Sequence, residues 1–280
     1  MRITCLFALF LLTSSTIVAQ TATPPAATDT VISNKLDAKG RRQGEWKRVD
    51  QQGKTIFIGT FKDDKPIGIF KYYDTDGRIM TISNFAADSK SCRSTHFTAA
   101  GKKEAEGKYV NTTPGKWVKD SVWRFYNGGE ILISEDTYVK GLQEGISKNY
   151  YPANGKVFRE RMYKGGKANG LSTEYFAEGS KKSETNYLND KMEGKAIFYN
   201  PSGSMSILGN YKNDFREGIW VYYNANGSEK LRETYVKGKK QGEEILITPK
   251  EMQEQKNKFE QQEQDKQNNG GEQLPGGGGR

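Results

Sequence analysis

The chain has few of the residues that metal centres and nucleophile–base pairs need: one His and two Cys among 280 residues. Metal sites of the Cys/His type are excluded by shortage of ligands, and any mechanism that needs an imidazole must use His96. Apolar residues make up only 34%, too little for a thick two-layer core. Long apolar runs are missing too: beyond a ten-residue stretch at 3–12, nothing approaches the ~20 residues that span a bilayer as a helix. No phosphate-cradling glycine loop, G-x-S-x-G elbow or H-E-x-x-H helix occurs. What the chain does have is 31 Gly, 15 Tyr, 13 Phe and 4 Trp. So many aromatics argue against wholesale disorder. The formal net charge is +9.

The first twenty residues, MRITCLFALFLLTSSTIVAQ, combine a basic start at Arg2, an apolar stretch and a small-residue approach to Ala19. That order defines a secretory signal peptide, so residues 1–19 are expected to be removed and Gln20 to become the first residue. Cys5 leaves with the signal, and Cys92 is then the one thiol of the exported chain. A Thr/Ala/Pro linker is expected over 20–33, a repeat domain over 34–249 and a polar tail over 250–280. Thr248, Pro249 and Glu251 make a fair helix start in that tail, with Met252 and Phe259 the residues able to dock it.

Self-similarity is the dominant signal. Gly170, Gly194, Gly218 and Gly242 are spaced by 24 residues. In each unit a second glycine follows (Gly179, Gly203, Gly227), then an aromatic (Tyr187, Tyr211, Tyr235). The same steps run from Gly44 and, with one extra residue, from Gly145. Worn units fit Cys92 and Gly115, giving about eight. Each unit reads as a β-hairpin. Asp76-Gly77, Asn154-Gly155 and Asn226-Gly227 mark one turn; KDDK, KGGK, LNDK, KNDF and KGKK mark the other. The expected fold is all-β: an elongated, twisted, single-layer antiparallel meander of about sixteen strands and eight 24-residue hairpin repeats, ending in a flexible or partly helical tail.

YKNDFREGIWVYYNANG (211–227) and FKDDKPIGIFKYYDTDG (61–77) resemble the MORN repeat and, more closely, the bacterial repeats labelled YwqK-type antitoxin. The resemblance covers roughly 200 of the 280 residues. It implies a binding or scaffolding sheet that associates with membranes, lipids or partner proteins, and the antitoxin label implies capture of a toxin.

Two aromatic positions recur on opposite faces of the strands. Five residues after the anchor stand Tyr73, Phe97, Tyr150, Tyr175, Tyr199 and Tyr223, expected to form the core. Two after it stand Trp46, Phe70, Trp117 and Trp220. This second position becomes Ser147, Ser172 and Ala196 along the array, as a patterned surface would. Trp46, Phe70, Trp117 and Trp220, with Trp123, are therefore the candidate binding surface. Cys92 and His96 lie on one strand face but about 13 Å apart at ~3.4 Å per residue, too far for a nucleophile and its base. Glu160, Glu184 and Glu233, and Glu144, Glu193 and Glu217, recur with the repeat, which points to salt bridges and turn hydrogen bonds; a glycosidase needs two carboxyls across a cleft. The irregular stretches 78–100 and 118–137 are where a site would be grafted.

The function expected from all this is an exported, non-catalytic β-repeat module at the periplasm, cell surface or outside the cell. It is expected to need no cofactor or metal, and to contact a protein or an envelope component such as a glycan or lipid headgroup. Nucleic acid is not an expected partner, and membrane association would be peripheral. An immunity protein that holds a toxin in the envelope is the alternative, and a carbohydrate-active enzyme a distant third.

Overall fold

The computed structural model describes residues 34–245 and isolated positions between 253 and 264. The expected signal and linker lie outside the described residues, as do Met252 and Phe259. Gln253, Glu254, Asn257, Lys258, Glu260, Gln261 and Gln264 are helical and exposed. No described helix is long and apolar enough to cross a membrane.

The chain divides after Gly179 into two compact units. The first holds β1 (Lys35–Leu36), β2 (Arg42–Val49), β3 (Thr55–Lys62), β4 (Lys65–Tyr73), β5 (Ile79–Phe85), β6 (Ser91–Phe97) and β7 (Lys103–Thr113). It continues through β8 (Lys116–Tyr126), β9 (Leu132–Val139), β10 (Leu142–Gln143), β11 (Gly145–Tyr150), β12 (Val157–Lys164) and β13 (Lys167–Tyr175). The second holds β14 (Lys181–Leu188), β15 (Lys191–Tyr199), β16 (Met205–Lys212), β17 (Phe215–Tyr223), β18 (Glu229–Val236) and β19 (Lys239–Ile245). The fold is all-β. Within each unit the strands form an antiparallel meander of hairpins, each pairing with its neighbours in the chain. The described residues hold nineteen strands rather than sixteen, partly because β1 and β10 are two-residue pairings that the 24-residue period does not encode.

The two turns of each repeat differ from expectation in kind. The tight two-residue turns are those of the lysine-rich motifs: Asp63 and Asp64, Asn213 and Asp214, Gly165 and Gly166, and Lys237 and Gly238 all have positive φ. Such turns match the twist of the flanking strands. Their second residue also ties back to the preceding hairpin, as Asp64 N does to Arg42 O at 3.2 Å and Gly238 N to Arg216 O at 2.9 Å. The Asp-Gly and Asn-Gly pairs instead close wider loops in which only the glycine has positive φ. There Asp74 Oδ1 accepts from the backbone N–H of Asp76 and Arg78, so the side chain shapes the loop.

The anchor glycine serves a bulge. Between β16 and β17 the register shifts so that Leu208 faces Val221 while Asn210 faces Glu217, and Gly218 takes φ 70°. A residue with a Cβ is strained there; the extra residues swing Trp220 over Gly209, where the ring lies 2.3 Å from the place of a Cβ. The same shift occurs between β7 and β8, but the left-handed residue is Ser121 at φ 59°. Ser121, not Gly115, is thus the anchor of this unit, and 24 residues separate it from Gly145. The insertion lies in the lengthened β7–β8 hairpin, whose strands are eleven residues each.

Candidate functional site

One face of the first unit carries its core. Across successive strands run Trp46, Gly59, Phe70, Ser83, Ser94, Gly107 and Trp123, each large ring set beside a residue small enough to lie beneath it. Ser83 and Ser94 share a hydrogen bond of 2.7 Å. The rings join edge to face: Trp46 to Phe61 at 6.2 Å, Phe61 to Phe70 at 5.2 Å, Phe70 to Phe85 at 4.9 Å and Phe85 to Trp117 at 5.2 Å. Such contacts add to the burial of the rings.

This geometry corrects the expected contact surface. Trp123 and Trp220 are 0% exposed, Phe70 2% and Trp46 9%, so these four rings are interior packing. Their indole N–H groups are spent on backbone carbonyls, Trp123 on Lys108 at 2.9 Å and Trp220 on Asn210 at 3.2 Å. The change of residue type along the array reflects what lies opposite, not a surface pattern. Trp117 alone of the five is half-buried, because the true anchor Ser121 puts Trp123 in the core position and leaves Trp117 in the inserted part of the hairpin.

The tyrosine position, expected as core, is half-buried instead. The hydroxyls of Tyr150, Tyr175 and Tyr199 donate to Glu135, Glu160 and Glu184 at 2.6, 3.1 and 2.6 Å, and Tyr126 donates to Glu106 at 2.5 Å. Each carboxylate also meets a cation: Arg124 with Glu135, Lys148 with Glu160, Lys181 with Glu184 and Lys103 with Glu106. The hydroxyl of Tyr150 and the Arg124 guanidinium hold the Glu135 carboxyl below its usual range. The other repeated acids close turns: Glu144, Glu193 and Glu217 accept the backbone N–H of Gly165, Asn213 and Lys237 at 2.7–2.9 Å. With Glu233, which accepts from the Tyr222 hydroxyl at 2.6 Å, all six glutamates that recur with the repeat are therefore structural groups. Among the described residues no group of three or more His, Cys, Asp and Glu gathers as a metal-binding set.

Cys92 and His96 share a face of β6 but have separate partners. The thiol meets Ser94 Oγ at 3.6 Å, and burial pushes its pKa up. The ring of His96 stacks on Trp123 at 5.7 Å. Its Nδ1 lies 3.0 Å from Thr81 Oγ1 and its Nε2 3.3 Å from the Tyr109 hydroxyl. Burial, with the nearby Lys119 charge, lowers its pKa to about 4, so the imidazole is neutral.

The candidate site is a cleft of about 830 Å³ in the first unit. This is the size of small-ligand pockets, ~300–1,000 Å³. Its apolar wall is built by Phe57, Phe61, Phe70, Tyr72, Phe85 and Trp117, and Cys92 and Tyr109 also line it. Burial raises the pKa of Tyr72. The opposite wall comes from the inserted β7–β8 hairpin, Asn111 to Gly115, and from Ser89 and Lys90 in the β5–β6 turn. Arg42 sits 3.8 Å over the Phe61 ring and pairs with Asp64 at 3.0 Å. The Ser89 hydroxyl donates to Pro66 O, which brings the two turns together at the rim. Of the expected surface residues the cleft gathers Phe70, as buried floor, and Trp117, as wall. The readable signal for the rest was the coincidence of the insertion with the degenerate unit; Asn111, Phe57, Tyr72 and Lys90 were not anticipated.

These features define a β-hairpin repeat protein with an aromatic cleft. Residues 168–189 and 192–213 match the MORN repeat variant, so the chain carries MORN-like repeats. No curated protein matches it. Among solved structures, a protein of unknown function from Bacteroides fragilis aligns at 8% identity over 76% of this chain and 96% of that one, with a TM-score of 0.09.

Proposed function

We propose that the chain is an exported, non-catalytic binding module that holds a protein partner through the cleft of its first unit. The observation that supports this most is the cleft itself: half-buried Phe57, Tyr72 and Trp117 over buried phenylalanines, faced by an insertion in an otherwise regular array. The repeat match favours it, since MORN repeats are generally protein- or membrane-binding modules. The recurrent carboxylates are committed to tyrosines, cations and turns, which favours binding over catalysis. The start of the sequence supports export, and an exported chain beginning at Gln20 would establish it.

The test is affinity capture by the full chain from envelope fractions of its source cell, with Trp117→Ala alongside. Washing in about 1 M salt shortens the Debye length to ~3 Å and removes purely ionic binders. A single protein retained by the native chain and lost by the variant supports the proposal, and its identity separates a structural partner from a toxin. Recovery of mixed anionic material at low salt only, equal for both, would overturn it.

A further inference from the structure

We infer that the cleft recognises an N-acylated amino acid with a large apolar side chain and a free carboxylate, the chemistry of a peptide's C-terminal residue. The inference rests on reading the chain as a binding module and names the ligand of that site.

Three features of the cleft converge. The wall of Phe57, Phe61, Phe70, Phe85 and Trp117 suits an apolar side chain. Asn111 Oδ1 is buried and accepts no hydrogen bond from the protein. A buried carbonyl in that state calls for a donor, and Asn111 is one of the residues that line the cleft. The rim supplies Lys65 and Lys90, both exposed. Neither forms an ion pair among the described residues, whereas the rim acids are in use. Asp64 holds Arg42, and Asp88 Oδ1 accepts from the Lys90 backbone N–H at 2.9 Å.

The spacing selects the ligand further. Asn111 N donates to Lys90 O at 2.8 Å, so the orphaned acceptor and an ammonium belong to residues facing each other across one pair of chains. A single ligand residue that carries a donor, an anion and an apolar group on one centre can therefore serve Asn111, the Lys90 ammonium and the aromatic wall together. A C-terminal amino acid does so, with its amide N–H, carboxylate and side chain on adjacent atoms. A fatty acid has the anion and the apolar body but no N–H. A mid-chain peptide residue has the N–H but no anion.

The probes are N-acetyl-L-phenylalanine, its methyl ester and 3-phenylpropanoate, titrated into the full chain by calorimetry. The free acid should bind about tenfold more tightly than either analogue, the effect of one good hydrogen bond or ion contact. Asn111→Leu should abolish the advantage over 3-phenylpropanoate, and Lys90→Gln the advantage over the ester. Lys90 is on the exposed rim, so its variant keeps the test valid if Asn111→Leu fails to fold. N-acetyl-Ala-Ala-Ala-Phe separates the two sources: tighter binding than the single residue assigns a peptide terminus, equal binding a free acyl amino acid. Equal affinity for all three small probes, no binding, or an unchanged preference in both variants overturns the inference. If the capture experiment yields a cleft-dependent partner while the probes fail, only the ligand assignment falls.

Discussion

The Trp123 indole occupies the space that a side chain at Gly107 would take: a Cβ there would stand 2.3 Å from Trp123 Cδ2. Gly59 with Phe70 and Gly209 with Trp220 repeat the relationship at 2.3 Å each. The rigid ring cannot retreat, since Tyr109 packs 4.6 Å from it and Lys119 lies 4.7 Å over it.

Gly107→Ala should therefore destabilise the first unit by about 1–3 kcal/mol, the usual cost of overfilling a packed site. Urea unfolding checks it. Gly128→Ala, at an open position with nothing near its Cβ, serves as the control and should change stability by less than about 0.5 kcal/mol.

Trp123→Ala and Trp117→Ala should separate packing from binding. Removing the fully buried ring should cost about 3–5 kcal/mol and leave a cavity over Gly107. Removing the half-buried Trp117 should cost less than half of that while abolishing capture of the partner. Equal destabilisation by both would place Trp117 in the core.

His96, the one histidine of the chain, should dominate stability changes between pH 6.5 and 4.5. Its pKa is about 4 when folded against 6.5 when free, so the neutral form stabilises the fold and that stability falls as pH drops below 6.5. By linkage about 2–3 kcal/mol should be lost over this window. Glu106, Glu135 and Glu184, whose pKa values are lowered from 4.5, lose their contributions only at lower pH. His96→Gln should flatten the unfolding midpoint over pH 6.5–4.5.

In the second unit Glu233 is the acid to watch. It accepts from Lys240, Tyr222 and Tyr235 at 2.7, 2.6 and 2.8 Å, and these contacts, the ammonium first, lower its pKa to about 2. Here the charged form is the stabilising one, so its contribution is complete above pH 4.5 and lost as pH falls toward 2. The stability difference between the native chain and Glu233→Gln should be constant above pH 5, shrink below 4.5 and vanish near 2. A difference that persists at pH 2 would assign the effect to packing.

The repeat length, the hairpin architecture and the structural use of the repeated glutamates were legible in the sequence, because each rests on local chemistry. A turn needs residues that accept positive φ, a strand needs alternation, and Glu217 recurs at the spacing that reaches the next turn. The sequence alone did not determine which face is interior. Strands β4, β8, β15 and β17 present aromatics to both faces, and burial depends on what stands opposite. Gly59, Gly107 and Gly209 lie beneath rings from the following strand, and that pairing depends on bulges at Gly68, Ser121 and Gly218. Register also decided the fate of Trp117. Counted from Gly115 it belongs with the core rings, but the bulge falls at Ser121, and a Ser at φ 59° carries no sequence signature. The cleft followed from tertiary structure for the same reason. Its walls come from residues 42 to 117, and only the stacking of hairpins brings Asn111, Lys90 and the phenylalanines to one place.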